Sequence, residues 1–381
     1  MNQLVPTTTL TAIGLMSGTS LDGVDAAVII TDGEGQVESG AAISIPYPQD
    51  LRNELRCLLD RLAIEDDLRE LRSKTNDLEA RLTRLNGRAV RDLMCKSGLE
   101  PSLIDVVGYH GQTLLHRPEV GVTIQIGSGE QLAEQLGIQV VTDFRQNDVK
   151  AGGEGAPLAP AYHRALAMAS GCGVQCLVNI GGVANVTWLD TERDPQAFDT
   201  GPGNALLDDF IVERTGALFD EGGVLACAGN IDQSSLEKLL DHPYFNRPPP
   251  KSLDRNAFSL NSVSHLSTND GAATLAAFTA RTIARAQEHF LQPPRRWVIC
   301  GGGRKNLGIM NALTGQLGQP VISAEQAGWR GDDIEAQAFA YLAVRSLKGL
   351  PLSWPTTTGV PTPMTGGVVH TPNSQDLRTG R

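Results

Sequence analysis

GLMSGTSLDGVDAAVII, residues 14–30, decides how the chain is read. An apolar, strand-like run breaks on small residues, hydroxyls and an aspartate, then resumes as VDAAVII. Gly18 and Gly23 permit backbone geometries closed to other residues, and Ser17, Thr19 and Ser20 add hydroxyl donors. Such a corner can seat a phosphate on exposed N–H groups, and it can equally be a plain hairpin decorated with Ser and Thr. It lacks the GxxxxGK[ST] signature and no lysine follows, so a P-loop NTPase is excluded, and it is not a dinucleotide fingerprint. Asp22 is the one carboxylate at the tip that could hold a magnesium ion through water.

The pattern recurs. VQCLVNIGGVANVTWL (174–189) is again strand, glycine corner and strand, with Asn179, Gly181, Gly182 and Asn185 at its bare tip. RRWVICGGGRKNLGIMNALTG (295–315) is a strand, then Gly301, Gly302 and Gly303, then a helix. Between the first two corners, leucines at helical spacing over residues 49–95 predict amphipathic helices covering a sheet. IDVVGYHGQT (104–113) reads as a buried strand with a polar tip, and residues 122–145 as strand, helix, strand. A long helix is expected within residues 267–290, whereas the proline-rich FNRPPPKSLDRNAFS (245–259) has the composition of an exposed loop. The expected class is therefore α/β, with two similarly built domains facing one another across a cleft that ATP could occupy. The expected boundaries are residues 1–134 for the first domain, to which 352–381 return, and 135–351 for the second. At least the last ten residues are expected to be mobile.

Bulk properties narrow the function. With 381 residues, one hydrophobic core is usually outgrown. A net charge of −11 disfavours nucleic acid as a partner, because counterion release needs a basic surface. There is no run of eighteen apolar residues and no signal-like N-terminus, so a soluble protein that stays in the cytoplasm, away from the membrane, is expected. The six cysteines form no CxxC pair and no zinc quartet, and reduced thiols are the expectation. A homodimer stays open.

Asp199, in FDTGPGNAL, has glycines at 201 and 203 beside it and Asn204 opening a helix. It has the placement of a general base at a cleft mouth, and also that of an Asx-turn residue ordering a loop. The Asp-Thr-Gly triplet is the signature of aspartic proteases too, but those need two such aspartates and would leave the glycine corners unexplained. His110 and Gln112 in GYHGQT, Arg145 in TDFR and Asp148 are candidates for a sugar or anion pocket at strand ends. Glu335 falls in the first turn of a late helix, where a carboxylate complements the helix dipole.

Taken together and in order, GLMSGTSLDGVD, GYHGQT, DFR, AGGEGAPL, NIGGVANVT, FDTGPGN and CGGGRKN closely resemble the anhydro-N-acetylmuramic acid kinases of bacterial peptidoglycan recycling. That family belongs to the two-domain sugar kinase, Hsp70 and actin superfamily. The resemblance implies an actin-like ATPase fold and a dual reaction on 1,6-anhydro-N-acetylmuramic acid. ATP phosphorylates O6 while water opens the anhydro bridge at C1. Carried over by motif, Gly18, Thr19, Ser20, Leu21, Asp22, Gly23, Val24 and Asp25 form the ATP phosphate loop. Asp199 is then the base that activates water, Arg145 and Glu335 belong to the sugar pocket, and Mg2+ accompanies the nucleotide. The chain departs from the superfamily at Met16, where related ATPases carry an aspartate, and from the family at Lys150 and Glu154. From another class, an ATP-gated binding or chaperone-like protein could use the same fold.

Overall fold

The structure, a computed structural model, describes residues 8–18, 21–62, 75–255 and 257–373. The chain divides into two compact units, one of Met1–Ala169 with Asp333–Arg381 and one of Ser170–Asp332.

The first unit is built on one sheet. Its strands are β1 (Leu10–Ser17), β2 (Gly23–Thr31), β3 (Val37–Pro46), β4 (Val106–Arg117), β5 (Val122–Ile126), β6 (Val140–Thr142) and β12 (Val368–His370). The order is β12-β6-β4-β1-β2-β3, with β5 paired to β4. β1, β2 and β3 form an antiparallel meander, whereas β4 runs parallel to β1 and β6 parallel to β4. One sheet face is packed by Leu51 and Leu55 of the helix Gln49–Leu62 and by Leu82, Val90 and Leu93 of Asn76–Ser97, against Ile13, Leu15 and Val107. Burying each such side chain contributes about 1.5–3 kcal/mol. The other face takes the helix Ile334–Leu347, whose backbone lies directly on the sheet. A Cβ at Gly14 would collide with the Ala336 carbonyl and one at Gly108 with that of Phe339. This close approach, open only to glycine, sets the height of the helix and so carries Glu335, in its first turn, to where β1 ends.

The second unit repeats the plan. β7 (Gln175–Ile180), β8 (Val183–Leu189), β9 (Gln196–Pro202), β10 (Trp297–Cys300) and β11 (Val321–Ser323) stand in the order β11-β10-β7-β8-β9. Again three strands form an antiparallel meander and two follow in parallel. The helix Thr268–Arg285, capped by Ser267, packs Leu275, Phe278 and Ile283 into a core with Phe198, Phe210 and Phe245.

Two α/β units sharing an order of five strands bear out the expected two-domain α/β class. The division of the chain differs from the expected boundaries at both ends. Residues 135–169 belong to the first unit because β6 pairs with β4, and residues 333–351 belong to it because the helix Ile334–Leu347 is seated on β1 and β4. The tail does return: β12 pairs antiparallel with β6. Residues 374–381, most of the stretch expected to be mobile, lie outside the described residues.

Candidate active site

In the first unit the opening corner leaves β1 at Ser17 and re-enters the sheet at Gly23. Thr19 and Ser20 lie outside the described residues. Leu21 closes the turn, its N–H donating to the Gly18 carbonyl at 3.3 Å, and it holds a φ of 58° that a leucine rarely adopts. Burial compensates, since the Leu21 side chain is in the core. Two residues brace the corner from behind. The buried Gln112 donates from Nε2 to the Gly18 carbonyl at 3.3 Å and accepts from the Tyr47 hydroxyl at 3.0 Å. The Tyr47 N–H donates to the Asp22 carbonyl at 3.0 Å. Gln112 was expected among sugar-pocket residues, and in the structure its amide is committed to the corner. Tyr47, which the sequence reading missed, has its hydroxyl pKa pushed up to about 12, chiefly by burial. Val24 faces the core, so only its backbone can serve a ligand, whereas Asp25 is half-buried and stands opposite Met16 across the β1–β2 ladder. Asp22 is exposed and paired with Arg52 at 3.2 Å.

The polar tip of β4 and the segment after β6 come together. His110 is buried, and its Nε2 accepts from Arg145 Nη2 at 3.0 Å and Nε at 3.3 Å. Arg145 Nη1 donates to the Gly155 carbonyl at 2.7 Å. Burial pushes the Arg145 pKa down to about 10, against the opposing pull of Glu335 and Asp148. It holds His110 well below the usual imidazole value, with Arg145 adding to the effect, so the ring is neutral at physiological pH. The Glu335 side chain reaches solvent yet stands deep among protein atoms. That desolvation raises its carboxyl pKa, Arg145 opposes the rise, and Asp25 adds to it. Arg145, His110, Glu335 and Asp25 therefore form one electrostatically coupled group beside the corner. Asp148 is buried beneath it and accepts from the Gly155 N–H at 2.6 Å, from the Thr358 hydroxyl at 2.7 Å and from the Ser353 hydroxyl. It is a fastener for the AGGEGAP loop rather than a ligand group.

In the second unit the remaining glycine turns converge. Gly181 and Gly182 form the tip of the β7–β8 hairpin. Their carbonyls accept from Asn204 N–H at 2.7 Å and Gly203 N–H at 2.9 Å, so the FDTGPGN segment lies directly under that tip. Asn204 Nδ2 also donates to the Ile180 carbonyl at 3.1 Å. Gly301 has a φ of 71°, and a Cβ there would meet the Asn179 side chain; this is why the third turn can lie against the second. A residue the sequence did not single out locks that turn. The Arg304 guanidinium is buried, donates to the Gly301 carbonyl at 2.8 Å, and pairs with Glu325 at 2.8 Å and Asp332 at 2.9 Å.

Asp199 sits within β9, opposite Asn185, next to a bulge in the β8–β9 ladder. Asn185 is three steps along the strand from the Gly182 tip, roughly 10 Å. The proline-rich segment is largely an exposed loop, as expected, and together with Tyr244 just before it also clamps this aspartate. Asp199 N–H donates to the Lys251 carbonyl at 3.0 Å, Leu253 N–H donates to Asp199 Oδ2 at 2.9 Å, and the Tyr244 hydroxyl donates to the Asp199 carbonyl at 2.6 Å. Tyr244 and Lys251, which make two of these bonds, are buried. The carboxylate is half-exposed and fixed in direction. The Asx-turn reading is thereby replaced, because Asp199 is inside a strand and its hydrogen-bonded partners lie some fifty residues away in the chain.

The family model for anhydro-N-acetylmuramic acid kinase matches residues 10–372. The chain belongs to this family. The anhydro-N-acetylmuramic acid kinase of Rhodospirillum rubrum is 53% identical over 93% of each chain, and that of Methylobacterium nodulans 51% identical over 95% of this chain and all of its own. The relative of the same name from Rhizorhabdus wittichii is 48% identical over 96% of this chain and 100% of its own. The corners, the β4 tip and the clamped Asp199 are thus features of an anhydro-N-acetylmuramic acid kinase family member. Among the described residues no helix is long and apolar enough to cross a membrane, and no group of three or more His, Cys, Asp or Glu side chains forms a metal cluster.

Proposed function

We propose that this chain is an ATP-dependent kinase that opens 1,6-anhydro-N-acetylmuramic acid with water and phosphorylates O6, giving N-acetylmuramic acid 6-phosphate and ADP for peptidoglycan recycling. The observation that carries this reading is in the second unit, where glycine turns at 181–182 and 301–303 pack together and, further along the same meander, the Leu253 N–H holds the half-exposed Asp199 carboxylate while bonds to Lys251 and from Tyr244 fix its backbone. Bare turns suit phosphate oxygens, and a fixed carboxylate suits proton abstraction from water.

In this reading Asp199 takes a proton from the attacking water as its oxygen bonds to C1. The C1–O6 bridge breaks, and O6 leaves with the electron pair that then bonds the γ-phosphorus of ATP, as the bond from that phosphorus to the β–γ bridging oxygen breaks and ADP departs. The division resembles inverting glycoside hydrolysis, with the phosphoryl group taking the place of the general acid at the leaving oxygen. In the second unit the turns Gly181–Gly182 and Gly301–Gly303 are assigned to phosphate oxygens through their backbone N–H groups, and in the first unit the turn Gly18–Asp25 is assigned to phosphate as well. Gln112 and Tyr47 keep the first of these turns in place, and Arg145 and Glu335 bind the sugar. Magnesium would neutralise phosphate charge. It keeps most of its waters and needs only one or two carboxylates, so the solvent-facing Asp22, exchanging Arg52 for the hydrated ion, fits that part. A small-molecule sugar is accordingly the partner.

The test is the reaction in 18O-labelled water. Label on the C1 hydroxyl and none on the transferred phosphate is expected. Label in free phosphate with intact anhydrosugar would mean simple ATP hydrolysis and would overturn the proposal.

A further inference from the structure

The group around Arg145 holds a residue whose part in the reaction differs from what its position suggests. His110 stands at the tip of β4 among the expected sugar-pocket residues, but both ring nitrogens are committed. Nδ1 lies 2.8 Å from the Gly111 carbonyl, which can only accept, so Nδ1 carries the hydrogen. Nε2 is then the lone-pair nitrogen, and Arg145 donates to it from both Nε and Nη2. The Phe339 ring, with its centroid 4.5 Å from that of His110, holds the imidazole from the side.

We propose that His110 is a positioning residue, whose unprotonated Nε2 fixes the guanidinium of Arg145 in the orientation that meets the sugar. The inference rests on the reading that Arg145 lines the sugar pocket. Its physical sense lies in the kind of acceptor used. An imidazole and the Gly155 carbonyl engage three of the five guanidinium N–H groups without adding a negative charge. They set the plane of the fork and leave its charge for the ligand. The second acceptor is itself anchored, because Asp148 holds the Gly155 N–H and ties that loop to Ser353 and Thr358.

The experiment compares His110→Phe, His110→Gln, Arg145→Ala and the His110→Phe/Arg145→Ala double variant in steady-state kinetics, varying anhydrosugar and ATP separately, with melting curves alongside. Phenylalanine keeps the ring against Phe339 and removes the acceptor. It is expected to raise KM for the sugar by on the order of 10–100-fold, the scale of a misplaced binding group, with KM for ATP unchanged. Glutamine, whose amide oxygen can take the place of Nε2, is expected to recover most of the loss. In the Arg145→Ala background His110→Phe should cost nothing further. A raised sugar KM in Arg145→Ala alone, with His110→Phe like the parent, overturns the role of His110 and leaves that of Arg145 standing. An unchanged sugar KM in Arg145→Ala overturns the pocket reading, and the inference with it. Equal losses for sugar, ATP and melting temperature in His110→Phe, unrelieved by glutamine, would make His110 a purely structural residue.

Discussion

Replacing Asp199 with asparagine separates chemistry from structure at the proposed base. The amide oxygen can still accept the Leu253 N–H that Oδ2 takes at 2.9 Å, and the bonds from Asp199 N–H to Lys251 and from Tyr244 to the Asp199 carbonyl belong to the backbone. Fold stability should therefore change by no more than about 0.5 kcal/mol. What is lost is the proton acceptor. General-base catalysis is worth on the order of 100- to 10,000-fold, so kcat should fall by that factor, about 3–5 kcal/mol of barrier, while KM for ATP holds. Asp199→Ala adds a second effect by leaving the Leu253 N–H without its acceptor, a cost of about 1–3 kcal/mol that shows in the melting curve. ADP release followed continuously, with single-turnover sampling of the sugar, reads both. If Asp199→Asn keeps more than a tenth of the parental kcat, Asp199 is not the base. Were ATP affinity to fall in step with kcat, the clamp would be serving nucleotide binding instead.

Other outcomes follow from the same contacts. Gly301→Ala forces a side chain into a positive-φ, extended conformation, φ 71° and ψ 177°, that is essentially confined to glycine, at a cost of about 1–3 kcal/mol and against Asn179, and should raise KM for ATP more than KM for sugar. Asp148→Ala removes the acceptor shared by Gly155, Ser353 and Thr358; a loss of at least about 2 kcal/mol in urea unfolding is expected, and a smaller loss would mean the loop is held by other bonds. Glu335 gives a pH signature. Its pKa is raised in the folded state, so the fold is relieved of the strain when the group is protonated and bears it in full once pH exceeds the folded pKa. Glu335→Gln should accordingly melt higher than the parent at pH 7.5, with the difference fading towards pH 4, and a gain that grows on acidification would contradict the electrostatic picture.

Local chemistry made the architecture legible. Each glycine corner is flanked by its own apolar strands, so the pairs β1–β2 and β7–β8 could be placed from neighbouring residues alone, and the match of the two halves followed. The domain limits were not legible, because β6 is three residues long and takes its membership from a partner strand more than thirty residues earlier. The proline-rich segment is the exposed loop its composition suggests, but its second role was hidden for a related reason. Its composition is that of a loop, and nothing local shows that Tyr244, Lys251 and Leu253 would be spent on Asp199. Arg304 carried a signal that could have been used, a lone arginine directly after a triple glycine, whereas Gln112 and His110 were read as ligand groups because polarity at a strand tip does not reveal whether a side chain faces outward or back.

The way the second unit is threaded into the first has a consequence for synthesis. Residues 170–332 are continuous and own a complete sheet and core, so they can fold as soon as they leave the ribosome. The first unit, begun earlier, has to hold Gly14 and Gly108 uncovered until the helix Ile334–Leu347 emerges, after the whole of the second unit. The half that is made first is completed last, and a ribosome stalled shortly before residue 333 should carry a finished second unit joined to an unfinished first.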